Sequence, residues 1–212
     1  MMPKCLALEE LVATIEERKS GGRFLVAIAG APGSGKSTIS NELVAHLNAL
    51  KPGSAALLPM DGYHYDDGIL IERGLRQRKG APETFDVMGL FHMLERLKRN
   101  TETEIAVPVF DRDLEIARAG ARMIPEAAEV IVVEGNYLLL NMQPWSLLKS
   151  RFDVTVMIDV AECTLRERLI ARWQSYNLAS AEIEAKVEGN DLPNGRFVTA
   201  NSVAADCILV LV

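Results

Sequence analysis

The sequence has few cysteines, three in 212 residues, and no C-x-x-C pair. Cys5, Cys163 and Cys207 lie far apart and are odd in number, which argues against a disulfide framework or a zinc-binding site. Long apolar runs are missing too, since none approaches the roughly 18 residues of a membrane span. The first apolar residues give way to Glu9 and Glu10, too early for a secretory signal. We therefore expect a cytoplasmic protein without a membrane partner.

Basic residues are too few to favour nucleic-acid binding. The chain has 23 lysines and arginines against 29 aspartates and glutamates, a net charge of −6. Nonspecific nucleic-acid binding needs a basic surface that displaces counterions, so we expect a small polar substrate and no nucleic-acid partner. There is no Ser-His-Asp arrangement, histidine cluster, repeat or linker in the sequence. Length and composition indicate a single domain over residues 1–212.

One segment, GAPGSGKST, fits the nucleotide-binding pattern G-x-x-x-x-G-K-[ST]. The apolar run FLVAIA before it indicates a buried strand, and the run ISNELVAHLNAL after it indicates a helix, which is the setting the pattern requires. An ordinary glycine-rich turn is the alternative. We predict that the whole segment binds a nucleoside triphosphate, through Gly30, Ala31, Pro32, Gly33, Ser34, Gly35, Lys36, Ser37 and Thr38.

The residue types of this phosphate loop predict its chemistry. Gly30, Gly33 and Gly35 allow positive φ and let backbone N–H groups approach phosphate oxygens. The positive end of the following helix dipole favours the same anion. Lys36 is expected to reach the β and γ phosphates, and the Ser37 hydroxyl to bind Mg²⁺.

Apolar runs alternate with helical patterns along the rest of the chain. This alternation predicts an α/β fold with a mainly parallel sheet covered on both faces, and a ligand beyond the carboxyl ends of the strands. Pro108 indicates an edge position for its strand. We predict strands at 24–29, 55–60, 104–110, 130–135, 154–159 and 207–212, and helices at about 8–15, after the phosphate loop, after the N-cap Asp86, and at 162–173.

Three acidic residues stand at the ends of predicted strands. Asp61 could accept the proton of a substrate hydroxyl as that oxygen attacks the γ phosphate, or it could only form a turn before Gly62. Glu134 could hold Mg²⁺ directly or through water, or only cap its strand. Asp159 could simply cap the next helix.

Other candidates follow strand ends or lie on one helix. Arg168 and Arg172 are four residues apart on a predicted helix, which could close as a lid over the transferring phosphoryl group or be a solvated charged face. Side chains just after strand ends would contact the substrate, although His64 could be a turn residue and Tyr63 a half-buried aromatic. This second set is Tyr63, His64, Arg112, Asn136 and Tyr137.

Several blocks, in order, resemble the phosphoribulokinase and uridine kinase family of P-loop kinases. They are the phosphate loop, MDGYHY, RKGAPETFD, VPVFDR, VVEGNYLLL and NDLPN. In particular, the chain resembles the bacterial branch labelled nucleoside or nucleotide kinase, sometimes fructose transport system kinase. The stretch Arg78 to Asp86 is also similar to bacterial pantothenate kinase, but Phe110-Asp111-Arg112 lacks the tyrosine and histidine pattern of those enzymes.

The resemblance implies a P-loop NTPase fold, three-layer α/β/α, with a five-stranded core sheet in the order 2-3-1-4-5 and a helical lid at about residues 162–190. It implies ATP and Mg²⁺ as cofactors. By position, Asp61 matches the catalytic base, Glu134 the magnesium-linked acid, and the helix of Arg168 and Arg172 the lid. Lys79 and Arg112 would border the acceptor pocket, and residues 190–194 would pass the nucleotide base.

The sequence thus favours an ATP-dependent kinase that phosphorylates a hydroxyl of a sugar, a nucleoside or a pantothenate-like acceptor. The alternatives are a regulatory NTP-hydrolysing protein and a nucleoside monophosphate kinase. A GTPase switch would carry N-K-x-D and a transporter ATPase its signature, and both are missing from the sequence. A nucleoside monophosphate kinase would need more arginines converging on its acceptor. A homodimer is compatible with the sequence.

Overall fold

The computed structural model describes residues 3–209. Each predicted helix is present, because each begins at a cap or turn and carries an apolar stripe; the Asp86 carboxylate, for example, accepts the Gly89 N–H at the start of its helix. In chain order the elements are β1 (Lys4–Leu6), α1 (Leu8–Arg18), β2 (Phe24–Gly30), α2 (Lys36–Leu50), β3 (Ala55–Pro59), α3 (Asp67–Glu72), α4 (Val87–Arg99), β4 (Glu104–Asp111), β5 (Ile116–Pro125), β6 (Val130–Gly135), β7 (Val154–Ile158), α5 (Glu162–Ser175), α6 (Ser180–Lys186), a π-helical turn (Val187–Asp191), α7 (Leu192–Asn201) and β8 (Cys207–Leu209).

The main sheet is parallel throughout, in the order β1-β8-β7-β2-β6-β3. Strands β3, β6, β2, β7 and β8 reproduce the expected 2-3-1-4-5 order, so the predicted core is confirmed. The three-residue strand β1 adds a sixth member beside β8, which was not predicted. Residues 210–212 of the last predicted strand lie outside the described part.

Alternate residues of the central strands bury two different layers. Val26 and Ile28 of β2 pack with α1 and α2 on one face, whereas Leu25 and Ala27 pack with α4 on the other. Both faces are covered, so every residue of β2 and β6 is buried. This is the reason why these strands read as continuous apolar runs rather than as alternating patterns.

The strand around Pro108 differs from the prediction. It does not join the main sheet but forms an antiparallel hairpin with β5, which was not predicted. Pro108 lies where the register shifts between Val107 and Val109, a place where its missing N–H breaks no ladder hydrogen bond. Its carbonyl packs so closely on Gly62 that a Cβ there would lie 2.5 Å from it.

The topology brings the predicted site residues to one rim. Glu134 pairs in register with Ile28 of β2 on one side and with Pro59 of β3 on the other. The phosphate loop follows β2 and Asp61 follows β3, so all three lie at the carboxyl ends of adjacent strands. Within residues 3–209, no helix has the length and apolarity to cross a membrane.

Candidate active site

The phosphate loop owes its shape to glycine in two different ways. Gly33 and Gly35 have φ of 80° and 91°, a region that side chains disfavour, and Gly35 precedes the first residue of α2. Gly30 does not have positive φ, contrary to the prediction. It is needed for close approach instead, because a Cβ there would lie 2.7 Å from Ser34 Oγ and 2.9 Å from the carbonyl of Ile158.

Lys36 is buried at the start of α2. Its Nζ donates to the Ala31 carbonyl at 2.8 Å, inside the phosphate loop. Burial lowers the pKa of this ammonium to about 8, against the opposing fields of Glu134 and Asp61. A polyanion placed in the loop would stabilise the charged form and draw Lys36 from the carbonyl.

Ser37 and Glu134 meet across two elements, with Ser37 Oγ donating to Glu134 Oε1 at 3.3 Å. Burial and the nearby charge of Asp61 raise the pKa of the Glu134 carboxyl. A hydroxyl and a carboxylate are hard oxygen donors, the type that Mg²⁺ prefers. In the described part of the chain no group of three or more His, Cys, Asp or Glu side chains could hold a metal. This sparse donor set fits an ion that keeps several waters and phosphate oxygens.

Asp61 lies in a short 3-10 turn, Met60–Tyr63, directly after β3. Its Oδ2 accepts from Arg112 Nη2 at 2.6 Å. The ring of His64 bonds the Asp61 carbonyl through Nδ1 at 2.8 Å and stacks between Phe85 and Phe110, with centroids 4.0 and 4.7 Å away. Asp61 is therefore held from both sides, by an ion pair at its carboxylate and by His64 at its backbone.

The two arginines of α5 that were predicted to form the lid, Arg168 and Arg172, have different environments. Arg168 Nη1 donates to the Ser34 carbonyl of the phosphate loop at 3.3 Å. Arg172 lines the cleft, and burial followed by the field of Arg112 lowers its pKa. The helix itself packs on the loop, since a Cβ on Gly33 would lie 3.0 Å from Leu169 Cγ.

These side chains surround one cleft of about 740 Å³. Six of its lining residues are basic and four are acidic, whereas the chain as a whole carries a net charge of −6. The cleft thus has a basic lining in an acidic protein, which suits a polyphosphate. The predicted residues that line it are Pro32, Gly33, Gly35, Lys36, Ser37, Thr38, Asp61, His64, Lys79, Arg112, Glu134, Asn136 and Arg172.

Two predicted substrate contacts, Tyr63 and Tyr137, are not brought into the cleft. The Tyr137 ring is fully buried against Phe85 and Trp145, and its hydroxyl donates to the Gly80 carbonyl at 2.6 Å. The Tyr63 side chain is also buried in the α4-side core. Both follow strand ends, as expected, but their side chains point to the core rather than to the ligand side.

Several contacts around the cleft were not predicted from the sequence. Trp173 Nε1 donates to Asp191 Oδ2 at 2.7 Å, which ties α5 to the π-helical turn. Arg76 also lines the cleft and pairs with Asp67 at 2.6 Å, as does Lys79. The sequence gives no periodic signal for the turn, and only the NDLPN block, which begins at Asn190, indicated this region.

Comparison with known proteins identifies the family. The model of the "Phosphoribulokinase / Uridine kinase family" matches residues 25–174, which is more than half of the chain. This protein belongs to the phosphoribulokinase and uridine kinase family. The resemblance inferred from the sequence blocks is thereby confirmed, and the chain is a member of a family of P-loop kinases.

Relatives within and near the family cover most of the chain. A Schizosaccharomyces pombe protein provisionally named a uridine kinase is 32% identical over 92% of this chain and 86% of its own. Escherichia coli YggC is 34% identical, over 95% and 84%. The pantothenate kinase of Parvibaculum lavamentivorans is 29% identical over 74% of this chain but only 50% of its own length.

Comparison with solved structures supports the fold. A protein of Silicibacter sp. TM1040, provisionally described as a fructose transport system kinase, superposes with a TM-score of 0.89 at 40% identity, over 97% of this chain and all of the other. YFH7 of Saccharomyces cerevisiae has a TM-score of 0.83 at 19% identity, over 97% and 99%, which supports the fold alone. The P-loop fold and three-layer architecture are thus confirmed.

Proposed function

We propose that this family member transfers the γ-phosphoryl group of ATP, with Mg²⁺, to a hydroxyl group of a small metabolite. One observation carries the proposal: the phosphate loop and Asp61 face the same cleft, close enough that the charges of Lys36 and Asp61 shift each other's pKa. A phosphate site alone would serve any NTPase. An ionised, oriented carboxylate beside it is what a hydroxyl acceptor requires.

The donor half of the cleft would be formed by the loop and α2. Backbone N–H groups around Gly33 and Gly35 would bind the phosphates, and Lys36 would leave the Ala31 carbonyl for the β and γ oxygens. Ser37, with Glu134 in contact or through water, would hold Mg²⁺. The metal, when bound, neutralises charge on the phosphate oxygens.

Asp61 would orient the acceptor and receive its proton. The acceptor oxygen forms a bond to the γ phosphorus as the bond from that phosphorus to the bridging oxygen breaks, ADP leaves, and the hydroxyl proton passes to Asp61. Burial alone would raise the pKa of Asp61, but the pKa is lowered because the charges of His64, Arg112, Lys36 and Arg172 together outweigh burial. Such a carboxylate is a weak base but stays ionised, which suffices because phosphoryl transfer proceeds through a loose transition state with late proton loss.

The segment of α5, α6 and the π-helical turn would act as the lid. Leu165, Leu169 and Ile183 form a separate small apolar cluster with Ala31, so the segment packs on the loop through few contacts. Such a sparsely packed element can open and close. Arg172 would then neutralise the transferring group, and Arg168 would fix the loop.

The acceptor side favours a hydroxyl metabolite over a nucleoside monophosphate. The basic residues there are already neutralised, since Arg76 and Lys79 share Asp67 and Arg112 pairs with Asp61. A phosphorylated acceptor would have to displace these pairs. The relatives carry the names of uridine, pantothenate and fructose transport system kinases, so a nucleoside, a pantothenate-like alcohol or a sugar are the acceptors to test first.

The test is a coupled ADP-release screen over sugars, nucleosides and hydroxylated vitamins, followed by product identification. Asp61→Asn should retain ATP binding but lose about 10²-fold or more in transfer. Asp113→Asn, an exposed aspartate of the same cleft-side hairpin, is the matched control and should keep full activity. If no acceptor raises ADP release above background, or if Asp61→Asn reduces acceptor-free hydrolysis as much as transfer, a regulatory NTP-hydrolysing function replaces the proposal.

A further inference from the structure

A second cavity lies beside the cleft and takes no part in the proposed reaction. Its volume is about 630 Å³, within the range of small-molecule sites. Its wall is largely apolar and aromatic, with contributions from Val87, Trp145 and Phe197. It includes no residue of the phosphate loop and not Asp61. The cavity is therefore suited to binding rather than to phosphoryl transfer.

The charge at this cavity is positive. Arg78 and Glu83 line it and pair with each other at 2.6 Å. Arg73 also lines it, and its guanidinium carbon lies 4.6 Å from the centre of the Tyr65 ring. Within residues 3–209 Arg73 makes no ion pair. Its guanidinium therefore lies over the Tyr65 ring with N–H groups that are not bound to a carboxylate. A cation above an apolar wall matches a ligand with an apolar body and a carboxylate.

A polar partition separates the two cavities. Phe85, Gly189, Asn190 and Asn194 line both. Asn190 Nδ2 donates to the Lys79 carbonyl at 3.3 Å, and Asn194 Nδ2 donates to Asn190 Oδ1 at 3.1 Å. These amides bridge from the π-helical turn to the loop of Lys79. A ligand in the second cavity would thus touch the partition without reaching the reacting atoms, which favours a separate ligand over an extended acceptor.

The partition is connected to the cleft on two sides. Lys79 lines the cleft, and its carbonyl accepts the hydrogen bond from Asn190 of the partition. Asp191, next to Asn190, accepts from Trp173, which also lines the cleft. A ligand that fixes or displaces Asn190 would therefore change the position of lid residues around the nucleotide. π-Helical turns of this kind occur frequently at functional sites.

We propose that the second cavity binds a small effector, an aromatic or short aliphatic carboxylate, and that its occupancy changes nucleotide affinity in the cleft through Asn190. This inference goes beyond the proposed kinase reaction, and its binding step does not depend on turnover. Coupling of this type is reciprocal, because each ligand changes the affinity of the other by the same factor.

The two tryptophans of the chain allow a direct binding test. Trp145 lines the second cavity and Trp173 the cleft, so the Trp173→Phe variant leaves a single reporter in the second cavity. Titration with 3-phenylpropionate should change its fluorescence saturably, and 3-phenylpropan-1-amine should bind more weakly. Arg73→Gln should weaken carboxylate binding roughly threefold to fivefold. Arg99→Gln, an exposed arginine at the end of α4, should have no effect.

The coupling is tested in the unmodified protein by calorimetry. Saturating 3-phenylpropionate should change the dissociation constant of MgATP about fivefold or more, and Asn190→Ala should remove this change. No signal up to about 10 mM carboxylate, equal binding of the amine, or unchanged binding in Arg73→Gln overturns the site. Unchanged MgATP affinity overturns the effector role. None of these failures affects the ADP-release screen, so the kinase proposal is judged separately.

Discussion

The carboxylate of Asp61 and the guanidinium of Arg112 are joined by an ion pair with 2.6 Å between Oδ2 and Nη2. Asp61 follows β3 of the main sheet and Arg112 follows β4 of the hairpin, so the pair links two sheets beside the phosphate loop. A partner from a second sheet fixes the direction of the carboxylate more firmly than the 3-10 turn alone could. Arg112 is therefore expected to position the base and to keep it ionised.

Replacing Arg112 with glutamine should move the acid limb of the pH–rate profile. Asp61 is active when ionised, so activity is lost as the pH falls through its pKa. Arg112 helps to lower that pKa, and its removal raises it, so the loss should begin at a higher pH than in the unmodified protein. We also expect kcat to fall by about tenfold, because the carboxylate is less well oriented.

This shift is measured as kcat/KM against pH with the acceptor found in the screen. Arg118→Gln is the matched control, since Arg118 pairs with Asp111 in the same hairpin at 2.8 Å. The Arg118→Gln variant should leave the pH–rate profile unchanged. An unmoved acid limb in Arg112→Gln would mean that Arg112 does not act on Asp61.

Lys36 should take up a proton when MgATP binds in mildly alkaline solution. Burial lowers its pKa to about 8 in the free protein, and phosphate oxygens in the loop would raise it again. Above pH 8 the lysine is increasingly neutral before binding and charged after it. MgATP affinity should therefore decline as the pH rises from about 8, by at most about tenfold per pH unit.

Calorimetry at pH 8.5 in two buffers of different ionisation enthalpy measures this proton uptake. Lys36→Met should bind MgATP more weakly and show no uptake from this group. Lys51→Met, an exposed lysine just past the end of α2, should behave as the unmodified protein. Equal binding enthalpies in both buffers would show that Lys36 is already fully charged in the free protein.

Substitutions of the two lid arginines should impair different steps of the reaction. Arg172 lines the cleft and would meet the transferring group, so Arg172→Gln should lower kcat by about 10² and leave MgATP affinity within about threefold. Arg168 donates to the Ser34 carbonyl, so Arg168→Gln should mainly weaken nucleotide binding. Arg166 pairs with Glu188 on the outer side of the same segment and supplies the control, Arg166→Gln. The same kinetic defect in Arg168→Gln and Arg172→Gln would contradict this division.

The sequence was sufficient to predict the site residues that lie at the ends of buried strands. Glu134 lies at the end of one continuous apolar run and Asp61 just after another, whereas the strand order that places them side by side was implied by the family resemblance and not by the pattern. The hairpin was harder to predict, because most residues of β5 are exposed and its segment IARAGARMIP carries no buried face to read. Arg112 could be named from its place after a strand, but not its ion pair, which depends on where the hairpin packs.

The direction of side chains could not be predicted from the sequence either. Asn136 and Tyr137 both lie in the bend after β6, yet only Asn136 lines the cleft, because the Tyr137 ring packs in the core against Phe85 and Trp145. The pattern gave no means to decide which of the two would face the ligand. Asp191 lies in the predicted segment 190–194, but its contact with Trp173 was not predicted, because the π-helical turn forms that contact and no local motif encodes it.

Arg23 was not singled out from the sequence, and it carries a strong expectation for stability. It precedes β2 and is 2% exposed. Its guanidinium donates to the carbonyls of Leu97, Ala128 and Pro125 at 3.1, 2.9 and 2.8 Å. These carbonyls belong to the last turn of α4, to the segment between β5 and β6, and to the last residue of β5. One buried cation thus satisfies the buried carbonyls of Leu97 and Ala128 and the half-buried carbonyl of Pro125.

Arg23→Met should keep the apolar stem but leave these carbonyls without a donor. We expect a loss of about 2–4 kcal/mol in the free energy of unfolding and a melting temperature lower by roughly 10 °C. Arg18→Met is the contrasting variant, because Arg18 also donates to a backbone carbonyl, that of Asp153 at 3.1 Å, but at an exposed position where water can replace it. Its cost should stay below about 1 kcal/mol. Urea unfolding followed by circular dichroism measures both, and equal losses in the two variants would show that burial of the Arg23 network is not what makes it stabilising.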